Sequence, residues 1–215
     1  MEAGESGGRL TDSRNEPELE IYMAETPSTM LPLGTSLPRF SLGDAVSGRE
    51  ISDQDFKDHA ALVVMFICNH CPFVKHVVDE LGQLGRDYVQ RGVGIVAINS
   101  NDVRNYPQDG PEHMKALAER EGWEFPYLLD STQQVAREFR AACTPDFYVF
   151  DAEQRLVYRG QLDDSRPGSG KPVTGRDLRA ALDAVLAGEA VPEAQVASLG
   201  CNIKWTPGNA PDYYV

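Results

Sequence analysis

The spacing of hydrophobic residues changes several times between about residues 38 and 188, and each change predicts a switch between strand and helix. Continuous apolar runs at residues 61–67 and 94–98 predict strands that are buried on both faces. Apolar residues recur every three or four positions from 73 to 88, which predicts a helix with one buried face. Further helices are predicted at residues 111–121, after Asp130 up to 139, and after Thr174 up to 186.

Two pairs of residues have the spacing of a helix cap. Asp130 with Gln133, and Thr174 with Asp177, are three positions apart, as in the reciprocal hydrogen bonding of a capping box. Each pair precedes a run with helical spacing, so we expect both pairs to begin helices.

Short strands complete the predicted pattern. Residues 40–42 and 50–51 flank a turn at 47–48, and residues 147–150 and 155–158 flank a second turn, which predicts a late β-hairpin. The sequence therefore predicts an α/β fold with a central mixed sheet, an N-terminal β extension and helices on both faces. Parallel crossovers come first in this sheet, and the antiparallel hairpin comes late.

This pattern divides the chain into three parts. Residues 1–25 are polar and acidic and offer little to bury, so we expect a disordered leader, within which Met23 is an alternative candidate for the start of translation. Residues 26–189 carry the strand and helix pattern and are expected to form one domain. Residues 190–215 lose the pattern, and we expect an extended tail that docks on the domain.

Composition and charge limit the classes of partner. A chain of 215 residues with 41% hydrophobic composition can bury a core without disulfide or metal staples, and four cysteines are too few for a disulfide scaffold. A formal charge of −13 repels nucleic acid and anionic lipid. The first residues lack the basic start and apolar core of a signal peptide, and we expect a cytoplasmic protein whose partners are proteins or small molecules.

The candidate chemistry lies at the end of the first long apolar run, in Cys68-Asn69-His70-Cys71. This Cys-x-x-Cys sequence falls between a predicted strand and a predicted helix, where free backbone N–H groups and the helix dipole stabilise an anion. We therefore expect a thiolate on Cys68 to form at lower pH than on a free cysteine. Pro72 suits the first turn of a helix because that turn needs no N–H from it. The two cysteines can cycle between dithiol and disulfide, with no other cofactor.

Five separated motifs, taken in order, resemble a known family. They are Cys68-Asn69-His70-Cys71-Pro72-Phe73-Val74-Lys75-His76, Asn99-Ser100-Asn101-Asp102, Cys143-Thr144-Pro145-Asp146-Phe147, Asp163-Asp164-Ser165-Arg166-Pro167 and Gly200-Cys201-Asn202-Ile203-Lys204-Trp205. Residues 38–188 resemble the thioredoxin superfamily. The motifs are similar to those of its bacterial AhpC/TSA, or peroxiredoxin-like, branch, whose members are described as probable thiol–disulfide isomerases.

The resemblance implies thiol–disulfide exchange with disulfide-containing proteins or small thiols, and a separate electron donor. In such a reaction Cys68, at an exposed helix end, attacks a substrate disulfide, and Cys71 resolves the mixed disulfide. A partly protonated His70 favours the thiolate and makes the disulfide more oxidising. The resemblance also implies a cis peptide bond before Pro145, and a platform at Thr144 and Pro145 on which a substrate strand pairs.

Some positions depart from the thioredoxin pattern. Thioredoxins carry Trp directly before the first cysteine and a buried acid six residues before it, whereas this chain has Ile67 and Leu62. A proton acceptor for Cys71 is therefore not identified from the pattern. Three carboxylates of the other motifs are candidates by position: Asp102, Asp163 and Asp164. The alternative interpretation is that each is a solvent-facing acid in a loop. The auxiliary candidates at the site are Asn69, Pro72, Cys143, Cys201, Asp102 and Asp164.

Several other hypotheses remain open at this stage. The cysteine pair is compatible with two inert buried thiols, with a non-catalytic binding module, or with a thiol peroxidase, although Met65 replaces the Thr or Ser of peroxiredoxins. A metal site is a further alternative, although a structural zinc site normally pairs two such cysteine knuckles. Its ligands beyond the pair would come from His70, His76, Cys143 and Cys201.

The two remaining cysteines are further redox candidates. Cys143, two residues before Pro145, is either a second resolving thiol or a small core residue. Cys201, in the tail, is a candidate remote redox partner of Cys143.

Overall fold

The computed structural model describes residues 25–214, so residues 1–24 of the predicted leader, with Met23, lie outside the described residues. The strands in the described part are β1 (Glu25–Pro27), β2 (Ser41–Asp44), β3 (Glu50–Ser52), β4 (Ala61–Phe66), β5 (Val93–Asn99), β6 (Tyr127–Leu129), β7 (Cys143–Thr144), β8 (Asp146–Asp151), β9 (Leu156–Gly160) and β10 (Leu199–Asn202). The α-helices are α1 (Pro72–Tyr88), α2 (Pro111–Glu121), α3 (Gln134–Glu138) and α4 (Arg176–Ala187).

A mixed sheet of seven strands forms the centre, in the order β3-β2-β6-β5-β4-β8-β9. Strand β4 pairs in parallel with β5 and antiparallel with β8, and β8 and β9 form the predicted late hairpin. The predicted α/β architecture with a mixed sheet is confirmed. Helix α1 is the crossover connection that lets β5 lie parallel to β4.

Strand β4 shows why both faces of this sheet are covered. Val63 and Met65 pack into the cluster formed with α1, α2 and α4, whereas Val64 and Phe66 pack with α3 and with residues 31–40. Since every residue of β4 is buried, the apolar run has no polar face. The prediction of a strand buried on both sides is therefore correct. The C-terminal end of the strand, which leads to Cys68, also lies in the interior.

The predicted cap of α3 is wrong in detail. Gln133 is itself the residue before the helix, with a left-handed φ of 62°, and its side chain donates to the carbonyl oxygens of Ser100 and Lys204. The Asp130 carboxylate accepts hydrogen bonds from Ala136 N at 3.0 Å and Ser100 Oγ at 2.9 Å. Asp130 thus ties the helix to the end of β5 instead of forming a reciprocal pair with Gln133.

The predicted cap of α4 is also wrong, because a distant residue supplies the carboxylate. The Asp163 side chain accepts hydrogen bonds from the backbone N–H groups of Thr174, Gly175 and Ser165, at 2.6, 2.7 and 2.9 Å. Asp177 instead accepts a hydrogen bond from Gln161 Nε2. Asp163 therefore fixes the start of α4, which is a structural function.

The C-terminal segment joins a second, three-stranded sheet in the order β1-β10-β7. Strand β10 pairs antiparallel with both neighbours, so it lies between the first described residues and the strand that precedes Pro145. The only leader residue within the described range, Glu25, begins β1. Among the described residues, no helix is long and apolar enough to cross a bilayer.

We expect Asp163→Ala to lower the free energy of unfolding by about 1–3 kcal/mol, because it leaves the N–H groups of Thr174 and Gly175, directly before α4, without their acceptor. Burial raises the pKa of Asp163, but the backbone hydrogen bonds outweigh burial and the net pKa is lowered. Its stabilisation is therefore present above the unfolded-state pKa of about 3.9 and is lost as the pH falls below it. Urea unfolding of both proteins at pH 7 and at pH 3 measures the difference.

The neighbouring carboxylate is the matched control. Asp164 is exposed and pairs with Lys171 and Arg176 at the surface. We expect Asp164→Ala to leave the urea midpoint close to that of the unmodified protein, because exposed ion pairs contribute little to stability. Equal losses for the two variants would contradict the assignment of the cap to Asp163.

Candidate active site

The end of β4 and the start of α1 position the two cysteines. The backbone N–H of Ile67 still bonds to Ile98 O, after which the chain turns through Cys68 to Cys71, the residue that precedes α1. Pro72 occupies the first helical position, as predicted. The expected exposure of Cys68 is not observed, because its residue surface is 1% exposed and that of Cys71 is 0% exposed.

Thr144 lies against both thiols. The peptide bond between Thr144 and Pro145 is cis. Cys68 Sγ lies 3.5 Å from Thr144 Oγ1, and Cys71 Sγ lies 3.2 Å from the Thr144 carbonyl oxygen, to which the thiol form donates. The fold therefore brings residues 76 positions apart into one cluster of sulfur and oxygen atoms.

The backbone of Thr144 is not free for a substrate strand in this arrangement. Strand β10 pairs with β7, and Cys201 lies directly opposite Thr144. Pro145 lines a neighbouring pocket together with Phe73, His76 and Leu199. The expected platform at Thr144 and Pro145 is thus already covered by the chain's own tail.

A carboxylate that the sequence analysis missed holds the loop between the cysteines. Asp109 is fully buried, and its Oδ1 accepts hydrogen bonds from Asn69 N at 2.8 Å and His70 N at 3.1 Å. Its Oδ2 accepts from Asn101 Nδ2 at 2.8 Å and lies 2.5 Å from His70 Nδ1. The sequence signal is weak, because Asp109 reads as an ordinary turn residue before the predicted helix at 111.

His70 is oriented by this carboxylate. Its Nδ1 lies closer to Asp109 than to Cys68 Sγ, which is 3.9 Å away. The imidazole also stacks on Tyr106, with the ring centroids 5.4 Å apart and the planes 11° apart. His70 is therefore next to the cysteines, as expected, but its short hydrogen bond is to Asp109.

The thiol pKa values follow burial and hydrogen bonding instead of the helix dipole. Burial raises the pKa of Cys68, and the neighbouring Cys71 thiol and the Asp109 carboxylate raise it further. Burial also opposes ionisation of Cys71, but hydrogen bonds from Cys201, Cys68 and Thr144 outweigh it, so the pKa of Cys71 is lowered. In this closed arrangement the pKa of Cys71 lies below that of Cys68, which reverses the expected order.

The loop carboxylates proposed from motif position have other partners. Asp102 accepts hydrogen bonds from Arg104 N and Asn105 Nδ2, and its backbone N–H donates to Lys204 O. Asp163 caps α4 and Asp164 pairs with surface cations, as described above. The structure therefore offers no support for any of the three as the proton acceptor of Cys71.

The other two cysteines are both close to the site. Cys143 is fully buried beside Pro145, and its Sγ lies 3.8 Å from Pro145 O; burial raises its pKa. Cys201 Sγ lies 2.8 Å from Cys71 Sγ. The prediction that Cys201 pairs with Cys143 is not supported, because the sulfur in contact with Cys201 is that of Cys71.

Asp146, which directly follows Pro145, is a second buried carboxylate that sequence reasoning missed. It is fully buried, and Tyr148 Oη donates to its Oδ2 at 2.8 Å. Burial raises the pKa of Asp146 to about 7. The signal available in the sequence was the position of Asp146 at the start of a hydrophobic strand, because a buried charged residue needs a hydrogen-bond partner.

Three potential metal ligands lie together: Cys68, His70 and Asp109, with ligand atoms within 4.8 Å of one another. The larger set considered from the sequence does not converge, because His76 Nε2 bonds to Ser165 Oγ at 2.6 Å. A structural zinc site needs four ligands, and both Asp109 oxygens already accept backbone or amide hydrogen bonds. The hydrogen bonds that Asp109 accepts from the loop between the cysteines account for this cluster better than metal binding does.

Comparisons with known proteins agree with this architecture. A sequence model of the AhpC/TSA family matches residues 33–159. A crystal structure of an uncharacterized conserved protein from Geobacillus kaustophilus is 57% identical, with a TM-score of 0.85, and covers 86% of this chain and 98% of that one. This similarity extends over most of the described chain.

More distant proteins carry names that refer to thiol chemistry. The thiol-disulfide oxidoreductase ResA of Geobacillus thermodenitrificans is 24% identical over 131 residues, which cover 61% of this chain and 70% of that protein. The thioredoxin domain of a thiol-disulfide oxidoreductase from Bacteroides vulgatus is 19% identical, with a TM-score of 0.52, and covers 63% of this chain and 90% of that one. The second likeness identifies the fold as thioredoxin-like.

We expect Asp109→Asn to lower the pKa of Cys68, because the substitution removes a buried negative charge next to that thiol. The rate of iodoacetamide labelling at Cys68 as a function of pH, with the site located by peptide mass spectrometry, measures the shift. Its midpoint should move to lower pH.

Asp102→Asn is the matched control, because Asp102 is also a buried carboxylate in the adjoining loop but is not among the groups that shift the Cys68 pKa. Its labelling midpoint should equal that of the unmodified protein. A Cys68 midpoint that stays in place in Asp109→Asn counts against electrostatic coupling between the two groups.

Proposed function

Because this chain belongs to the AhpC/TSA family and adopts a thioredoxin-like fold, we propose that it is a thiol–disulfide oxidoreductase whose reactive groups are Cys68 and Cys71. The observation that carries the proposal is the contact of both thiols with Thr144, next to the cis peptide bond of Pro145. Two cysteines separated by two residues, at a strand–helix junction and against this loop, can form a disulfide and open it again.

The exchange proceeds in two balanced steps. The Cys68 thiolate attacks one sulfur of a substrate disulfide, the substrate S–S bond breaks, and the second substrate sulfur leaves as a thiolate that takes up a proton. Cys71 then attacks Cys68 Sγ in this mixed disulfide and releases the first substrate sulfur. The substrate is reduced by two electrons, and the protein holds a disulfide between Cys68 and Cys71.

The buried state of Cys68 adds an opening step to this mechanism. With 1% of its surface exposed, Cys68 meets a substrate only after its cover has moved, and hydration then removes the desolvation that raises its pKa. The lowered pKa of Cys71 favours the deprotonated form that the resolving step needs. The loop itself stays in position because Asp109 holds the N–H groups of Asn69 and His70.

The substrates in this proposal are disulfides of proteins or of small thiols, and a separate reduced thiol donor restores the dithiol in the cytoplasm. The chemistry uses no cofactor beyond the protein's own disulfide. The formal charge of −13 favours partners that present neutral or basic surfaces around their disulfide.

We expect Cys68→Ser to reduce the rate of insulin disulfide reduction to the uncatalysed background, because serine cannot form the mixed disulfide. We expect Cys71→Ser to accumulate a covalent adduct between Cys68 and the substrate, because no thiol resolves it. Turbidity of insulin in the presence of dithiothreitol measures the rate, and non-reducing electrophoresis of a separate incubation with insulin, without dithiothreitol, detects the adduct.

Cys143→Ser is the control for the loss of a buried thiol near the site, and it should retain the activity. Reduction of insulin by Cys68→Ser at the rate of the unmodified protein would exclude Cys68 as the nucleophile. Two further measurements test the competing functions on the same samples. Rapid consumption of hydrogen peroxide that depends on Cys68 would favour a peroxidase, and one bound zinc per chain would favour a metal site.

A further inference from the structure

We propose that Cys201 is a third redox cysteine, which accepts the disulfide from Cys68 and forms a Cys71–Cys201 bond. This inference rests on the proposed function, because it uses the Cys68–Cys71 disulfide as its starting point. Its central observation is the distance of 2.8 Å between Cys71 Sγ and Cys201 Sγ. A covalent S–S bond is about 2.05 Å long, so a movement of less than about 1 Å brings the two atoms to bonding distance.

The backbone of the tail holds Cys201 at this position. Strand β10 pairs with β7 so that Cys201 lies opposite Thr144 and Asn202 lies opposite Cys143. Strand β1 pairs with the other edge of β10, where Glu25 lies opposite Cys201. The cysteine is therefore held on both sides by strands and is not at a loose chain end.

The backbone of β10 approaches the backbone of Thr144 so closely that no side chain fits at position 200. A Cβ atom added to Gly200 would lie 2.0 Å from Thr144 O and 2.6 Å from Thr144 C. Glycine directly before Cys201 is thus a requirement of the contact, and it fixes the depth at which the cysteine enters the site. After Cys201, the tail is fixed by Lys204, whose N–H donates to Asn101 Oδ1 at 2.8 Å.

Cys71 lies between two thiols. Cys68 and Cys201 are both hydrogen-bonded to its sulfur, and all three cysteines are buried. Each neighbour can therefore form a bond with Cys71 without a change in the fold. Cys143 differs, because the atom in hydrogen-bond contact with its sulfur is Pro145 O, at 3.8 Å.

The step is an exchange within one chain. Cys201 loses its proton and attacks Cys71 Sγ of the Cys68–Cys71 disulfide; the bond between Cys71 and Cys201 forms, the bond between Cys68 and Cys71 breaks, and Cys68 leaves as a thiolate that takes up a proton. One disulfide and one thiol are present before and after, so no external oxidant enters the step. The oxidised protein then has a free Cys68, which can attack a second substrate disulfide.

The test follows the disulfides of the full chain over time. The reduced protein is oxidised with oxidised glutathione, quenched in acid at intervals, alkylated with N-ethylmaleimide under denaturing conditions, and digested with trypsin without reduction. Cys68 and Cys71 fall in the tryptic peptide 58–75, Cys143 in 141–155 and Cys201 in 180–204, so each disulfide gives a distinct product.

We expect the internally closed peptide 58–75 to appear first and then to decline as the linked pair of 58–75 and 180–204 accumulates. Fragmentation of the linked pair should locate the bond at Cys71 and the alkyl group at Cys68. Cys201→Ser and Cys201→Ala should both abolish the linked pair and leave the closed peptide as the final product. Cys143→Ser, the matched control, should give the linked pair as the unmodified protein does.

Two results would overturn the proposal, and they separate it from the proposed function. If the unmodified protein stops at the closed peptide 58–75 and still reduces insulin, Cys201 is a packing residue and the oxidoreductase function stands. If neither disulfide forms and insulin is not reduced, the oxidoreductase function fails together with this inference.

Discussion

One buried carboxylate, that of Asp109, organises the loop on which the site depends. It accepts hydrogen bonds from two consecutive backbone N–H groups of the Cys68–Cys71 segment, from Asn101 and, at 2.5 Å, from the ring of His70. A buried charge is stable only when such donors surround it, and losing one buried partner costs about 1–3 kcal/mol. The end of β4, the second motif and the helix α2 are therefore joined at a single side chain.

The sequence predicted the architecture because that architecture follows from hydrophobic spacing. The buried run in β4, the amphipathic α1 and the late hairpin were all visible as patterns of period two or of period three to four. The predicted helix caps were only partly right. Asp130 does accept a hydrogen bond from Ala136 N in α3, but Gln133 does not reciprocate, and the carboxylate bound to the residues before α4 is that of Asp163 instead of Asp177. Asp163 lies eleven residues before Thr174, to which it bonds, and no local pattern reports such a pairing.

The sequence predicted the reactive residues of the site, but it did not predict the groups that surround and cover them. The neighbouring cysteines, His70, Thr144 and cis Pro145 came from motifs, and the structure brings them together. Asp109 was missed because its function depends on the loop at Asn69 and His70, which lie 40 and 39 residues away in the chain. The burial of Cys68 was missed because motifs carry no information on what covers them, and that burial reverses the expected order of the thiol pKa values.

The five motifs of the chain converge on the tail. Asn101 and Asp102 bond to Lys204, Thr144 pairs with Cys201, and the wall of the pocket beside Pro145 includes residues of both Asp163-Asp164-Ser165-Arg166-Pro167 and β10. Motifs that are far apart in sequence are therefore parts of one contact surface.

The close approach at Gly200 also describes the shape of any competitor for the same edge. A foreign peptide that displaced β10 in the same register would meet the Thr144 carbonyl where the missing Cβ of Gly200 would lie, 2.0 Å away. It would fit only with glycine at the position of Gly200. Leu199-Gly200-Cys201-Asn202 therefore sets a steric condition that any strand pairing with β7 in this register has to meet.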